Sequence, residues 1–151
     1  MSSMFLSERT YLKRLANASA AGTTDVDSSS IDLGADNGYP SCRLAVLFGA
    51  IVSGAATSIK VQSSSDDSNF NDLTGTSVTV ADDDDNQIVY VDVVKPLERY
   101  LRIRVVKATQ NSTVDGIFAE AYDGRIQSST DDATTVSASS ERHVSPVEGT
   151  A

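Results

Sequence analysis

The residues best equipped for chemistry are four consecutive aspartates, Asp82, Asp83, Asp84 and Asp85, closed by Asn86. Carboxylates in a flexible loop suit a hard cation such as Ca²⁺, which takes several oxygen ligands. The run lacks the alternating acidic spacing and the distal Glu of a calcium loop. It reads instead as a solvated turn between strands, where like charges also oppose edge-to-edge sticking. A further role for such a loop is contact with a basic partner surface. Glycoside hydrolysis would need paired carboxylates flanking a cleft, and a chain without Trp is a poor platform for sugars.

Positive charge gathers at Lys95, Arg99, Arg102, Arg104 and Lys107, opposed locally by Glu98. The rest of the chain is acidic: 12 Lys+Arg stand against 21 Asp+Glu, a formal charge of −9. The basic stretch either pairs with aspartates of its own chain or forms a docking face for an acidic partner. General nucleic-acid binding is not expected, because a phosphate backbone is repelled by such a surface.

Nucleophilic catalysis needs a base within reach of a nucleophile. The single His, His143, sits in the polar tail where no buried neighbour is expected, and the single Cys, Cys42, alternates with Leu44, Val46 and Phe48. Cys42 therefore reads as a small buried hydrophobe. One Cys also excludes an intrachain disulfide and a Cys-based zinc site. The expectation is a protein with no catalytic residue, no metal and no cofactor.

The elements that would position these residues read as strands. Apolar runs at Ser29–Leu33, Arg43–Phe48, Ser58–Ser63, Ser77–Val80, Gln87–Val94, Tyr100–Lys107 and Asp115–Ala121 are separated by Ser, Thr, Gly and Asp. Turn formers fill the gaps, as in Ala35-Asp36-Asn37-Gly38 and Ser65-Asp66-Asp67-Ser68-Asn69. Short runs with no helical period between them predict an all-β fold, an antiparallel, jelly-roll-like β-sandwich. Its body spans residues 21–127, behind a lead segment at 1–20 and before an extended C-terminal arm at 128–151. The arm is too polar to order itself by burial. The lead segment supports either a short helix or irregular arm, or a first strand near Lys13–Ala18.

One hairpin has a definite expected register. Val89, Val91 and Val93 share a face, as do Leu101, Ile103 and Val105. Pairing these two strands side by side sets Val91 opposite Ile103 and Asp92 opposite Arg102, around a loop at Pro96-Leu97-Glu98.

The longest apolar run, Leu44–Val52, is far short of the roughly 20 residues a spanning helix needs. Met4-Phe5-Leu6 is followed at once by Glu8, Arg9, Lys13 and Arg14, unlike a signal peptide. The expectation is a protein with no membrane contact, kept in a cytoplasm or assembled there into something larger.

Several stretches, taken together, resemble a known group. They are Ala21–Leu33, Phe48–Ile51, Ser58–Asp67, Phe70–Thr76, Val80–Asn86, Tyr100–Val105, Ala108–Ser112 and Asp123–Arg125. Their text is similar to small tailed-bacteriophage virion proteins, namely head decoration (capsid cement) and minor structural proteins. The resemblance implies a non-enzymatic protein that binds the major capsid protein between shell subunits and stabilises the capsid from outside. A lattice point shared by several subunits implies a homotrimer. Net negative charge serves solubility before docking. Alternatives from the same text are a head–tail or tail accessory protein and, from Gln62–Leu73, a carbohydrate-binding module.

Overall fold

The computed structural model describes residues 5–34 and 38–124. The turn expected at 35–38, the C-terminal arm at 128–151 and His143 lie wholly or partly outside the described residues.

Eleven strands form: β1 (Thr10–Ala16), β2 (Ser19–Gly22), β3 (Val26–Asp27), β4 (Ile31–Asp32), β5 (Ser41–Ile51) and β6 (Ala56–Ser64), then β7 (Asn71–Asp72), β8 (Val78–Val80), β9 (Ile88–Val94), β10 (Tyr100–Ala108) and β11 (Ser112–Tyr122). Each of the seven expected runs falls on one of them. The first sheet runs β1-β11-β5-β9, with β2 also on β11. The second runs β3-β10-β6-β7, with β4 on β10 and β8 on β6. All pairs are antiparallel, so the fold is the all-β sandwich that the patterning predicts.

Strand alternation builds the core. Cys42, Leu44, Val46 and Phe48 of β5 and Ile117, Ala119 and Ala121 of β11 turn inward. They join Ile59 and Val61 of β6 and Leu101, Ile103 and Val105 of β10 in one buried cluster. Each large aliphatic side chain so buried contributes about 1.5–3 kcal/mol. β5 departs from clean alternation. Its outward Ala45 is also buried and its outward Leu47 half-buried, because β5 is flanked by β11 and β9.

The lead segment contributes strand. β1 pairs with β11 from Thr10↔Tyr122 to Ala16↔Ile117, and β2 covers the other half of β11. Lys13 holds this strand to the β3–β4 region by donating from Nζ to the Ser30 carbonyl at 2.9 Å.

The expected hairpin does not form. β9 pairs with β5, setting Val91 beside Leu44 and Asp92 beside Arg43. β10 lies in the other sheet, where Ile103 pairs with Val61 and Arg102 with Gln62. Alternation is satisfied equally by side-by-side pairing and by two faces stacked across a sandwich. The linker decides. Lys95 takes φ 51°, its N–H donates to the Pro40 carbonyl, and Pro96 follows. The chain thus leaves one sheet and enters the other instead of reversing beside itself.

Candidate functional site

The acidic run is built into the loop between β8 and β9 as a brace. Asp82 accepts the Gly54 N–H at 2.7 Å, Asp84 the Ala81 N–H at 2.9 Å, and Asp85 the Ile51 N–H at 2.6 Å. Gly54 takes φ 83°, a conformation open to Gly without Cβ strain. The Gly54 N–H holds the Asp82 carboxyl below its ordinary range. Asp82 and Asp85 tie the β8–β9 loop to the β5–β6 turn and the end of β5, and Asp84 closes the loop on itself. Among the described residues, no group of three or more His, Cys, Asp or Glu could hold a metal ion.

The five basic residues do not share one surface. Arg102 and Arg104 point outward from β10 and sit in a network. Arg104 meets Asp25 at 2.9 Å and Asp27 at 3.2 Å. Arg102 donates to Gln62 Oε1 at 2.8 Å and lies over the Phe70 ring, 4.2 Å from its centroid. Gln62 in turn donates to Asp72, which Lys60 also reaches at 2.7 Å. Arg99 grips Asp32 with two bonds of 2.7 Å, and Gly34 leaves it room, since a Cβ there would meet Arg99 Nε at 2.9 Å. The acidic partners of the three arginines are thus Asp25, Asp27 and Asp32, not the aspartate run.

Lys107 is turned the other way. It shares the inward parity of Leu101, Ile103 and Val105, is 4 % exposed, and donates from Nζ to the Ser112 carbonyl at 3.2 Å. Burial lowers its pKa while the Asp25 charge opposes that shift. The alternation of Tyr100–Lys107 already carried this signal, because 107 has the parity of 101, 103 and 105. Lys95 is exposed at the end of β9. Seven strand residues separate it from the aspartate run, roughly 20–25 Å of extended chain.

Cys42 is fully buried, and burial pushes its thiol up to about 12, with Asp92 and Glu120 adding to the shift. It behaves as the small core hydrophobe expected of it.

An open cleft of about 350 Å³ lies beside β1, β5, β9 and β11, lined by Arg9, Arg43, Asp92, Glu120, Tyr122 and Asp123 among others. Two pairs of its polar groups engage one another. Arg43 meets Glu120 at 2.5 Å, and the Tyr122 hydroxyl donates to Asp92 at 2.6 Å. That bond raises the Tyr122 pKa.

The surface feature that alternation reading missed is apolar. The outward side chains of β9 include Ile88 and Tyr90, each 57 % exposed, and Val94, 64 % exposed. Leu12 of β1 and the half-buried Leu47 and Phe118 lie on the same outer face of the first sheet. The signal was present in the apolar residues at 88, 90 and 94, opposite the valines at 89, 91 and 93.

No family model matches the chain, and no curated protein matches it in sequence. Among solved structures, PBSX exported protein XepA superposes with a TM-score of 0.55 at 14 % identity, over 97 % of this chain and 46 % of XepA. The chain shares a fold with XepA. It spans less than half the length of that protein. A structure of infectious bursal disease virus, Gt strain, matches with a TM-score of 0.40 at 13 % identity, over 79 % of this chain and 35 % of that one. The VP2 subviral particle of the same virus gives 0.35 and 11 %, over 77 % and 30 %.

Proposed function

We propose that this chain is a structural virion protein that decorates and stabilises a phage capsid. It binds between major capsid protein subunits on the capsid exterior, as a trimer at a threefold lattice point, and performs no catalysis. The observation that carries this reading is the apolar outer face of the first sheet, where Ile88, Tyr90 and Val94 stand exposed. Apolar side chains displayed together on a soluble body mark a surface made to be covered. Beside them on that face, Arg43 lies over the Tyr90 ring and meets Glu120, and Asp92 accepts from the Tyr122 hydroxyl; in the other sheet, Arg99, Arg102 and Arg104 are engaged by acidic and polar residues of their own chain. Such a body joins neighbours by shape and area.

Binding to assembled shells but not to free subunits stabilises the shell by mass action. Purified protein added to shells that lack it is therefore expected to raise their disassembly temperature, saturating at a fixed ratio to the major capsid protein. Shells that neither bind the protein nor change their disassembly temperature would contradict the proposal.

A further inference from the structure

The two sheets offer four edges, and among the described residues they are not alike. In the second sheet the edges are β3 with β4 and β7 with β8, each strand only two or three residues long. In the first sheet β1 carries Lys13 and Arg14 and a register shift between Arg14 and Ala16. Short, charged or bulged strands are how sheets avoid edge-on association. β9 carries one such charge, Asp92, already engaged by the Tyr122 hydroxyl, and is neither short nor bulged. It runs seven residues without Lys, Arg or Pro, in unbroken register with β5, and no described residue pairs along its other side.

The phase of its hydrogen bonds follows from two contacts. Gln87 accepts from the Phe48 N–H at 2.9 Å, and the Lys95 N–H donates to Pro40 at 2.8 Å. Given Leu44↔Val91, the odd-numbered residues of β9 bond to β5. Ile88, Tyr90, Asp92 and Val94 therefore aim their N–H and C=O groups at the open side. The side chains of these same four residues point outward.

We propose that this edge docks the β9 strand of a second copy of the chain, antiparallel, about a twofold axis at Val91. That register sets Ile88 opposite Val94 of the second copy and Tyr90 opposite Asp92 of the second copy. Every apolar outward residue then meets another or an aromatic–carboxylate pair. The inward Val89, Val91 and Val93, only partly buried in one copy, meet their counterparts and extend the core. Slipping by two residues sets Asp92 against Asp92 in one direction and Asp92 against Ile88 in the other, both less favourable.

Charge selects the second copy as occupant. β9 begins beside Asp82, Asp83, Asp84 and Asp85 and ends at Lys95, so the strand is acidic at one end and basic at the other. Antiparallel pairing brings Lys95 of each copy beside Gln87 and the acidic run of the other. Lys95 is exposed and makes no ion pair among the described residues. A parallel arrangement would set like ends together. The contact stands independently of the capsid reading. Alone it makes a dimer, and beside a threefold contact it joins trimers in pairs.

Sedimentation equilibrium of the full chain tests it. The expected mass is an even multiple of 15.9 kDa. Tyr90→Pro removes an edge-facing N–H without touching the ladder to β5, which edge strands tolerate. Two bonds are lost per dimer, so the dissociation constant rises at least about tenfold while the circular dichroism spectrum is kept. A second variant reads the register. At a non-hydrogen-bonded antiparallel pair the Cα atoms lie about 4.5 Å apart, within disulfide reach. Val91→Cys is therefore expected to cross-link to a covalent dimer on mild oxidation, and Tyr90→Cys is not; the buried Cys42 stays silent. A monomer at all concentrations, an odd-numbered assembly that Tyr90→Pro leaves intact, or folded Val91→Cys that does not cross-link would overturn the proposal. Those outcomes leave shell binding untouched, so the two proposals fail separately.

Discussion

Phe48→Ala is expected to lower the unfolding free energy by about 3–5 kcal/mol, the range for a buried aromatic cut to a methyl. Phe48 is 2 % exposed on β5, between β9 and β11, and projects into the single core cluster. Its backbone N–H is fixed to Gln87, so the cavity cannot close by moving that strand end freely. Leu97→Ser is the matched control. Leu97 is 98 % exposed, and its loss is expected to stay within about 0.5 kcal/mol. Urea unfolding of both variants and the parent checks this. A Phe48→Ala cost below about 1 kcal/mol would mean that the sandwich core is not built around β5.

The second large effect is on pH. Asp25 is held below its ordinary range by the Lys107 backbone N–H and then by Arg104. Asp72 is lowered by Lys60 and Gln62, and Asp82 by the Gly54 N–H. Asp66 is lowered furthest, because the backbone and side chain of Asn69, the Ser68 N–H and the Ser64 hydroxyl all donate to it. A carboxylate whose pKa is depressed in the fold contributes stability above its unfolded pKa, and that contribution is lost as pH falls through the folded value. The melting temperature is therefore expected to hold between about pH 7 and pH 5 and to fall continuously below about pH 4. Melts followed by circular dichroism across that range check it. Asp66→Asn is expected to lower the melting temperature near neutrality and to flatten the acid limb. A melting temperature unchanged down to about pH 2 would contradict the role given to these carboxylates.

The alternation of β5, β6, β10 and β11 was legible because each strand turns one apolar set inward, and the inward parity survives any choice of neighbour. Neighbour choice was not legible for β9 and β10. Val89, Val91 and Val93 ask only for apolar company, which β5 supplies at its side and β10 across the sandwich. β3 and β7 are too short to carry a pattern, and β1 mixes Lys13 and Arg14 into its run. The charged residues were legible as a group but not in their partnerships. Arg99, Arg102 and Arg104 pair with Asp27, Asp32 and Gln62 across strands, contacts that exist only once β3, β4 and β6 flank β10. Lys107 was separable from them by parity alone.

The proposed role requires the chain to be incorporated into a particle. Quantifying it against the major capsid protein in phage particles purified from cells that carry its gene is the direct measurement. Decoration is expected to give copies on the order of hundreds per particle, in fixed proportion to the shell lattice. Particles with about a dozen copies would place the chain at a single vertex or in the tail instead, and particles with none would contradict the claim outright.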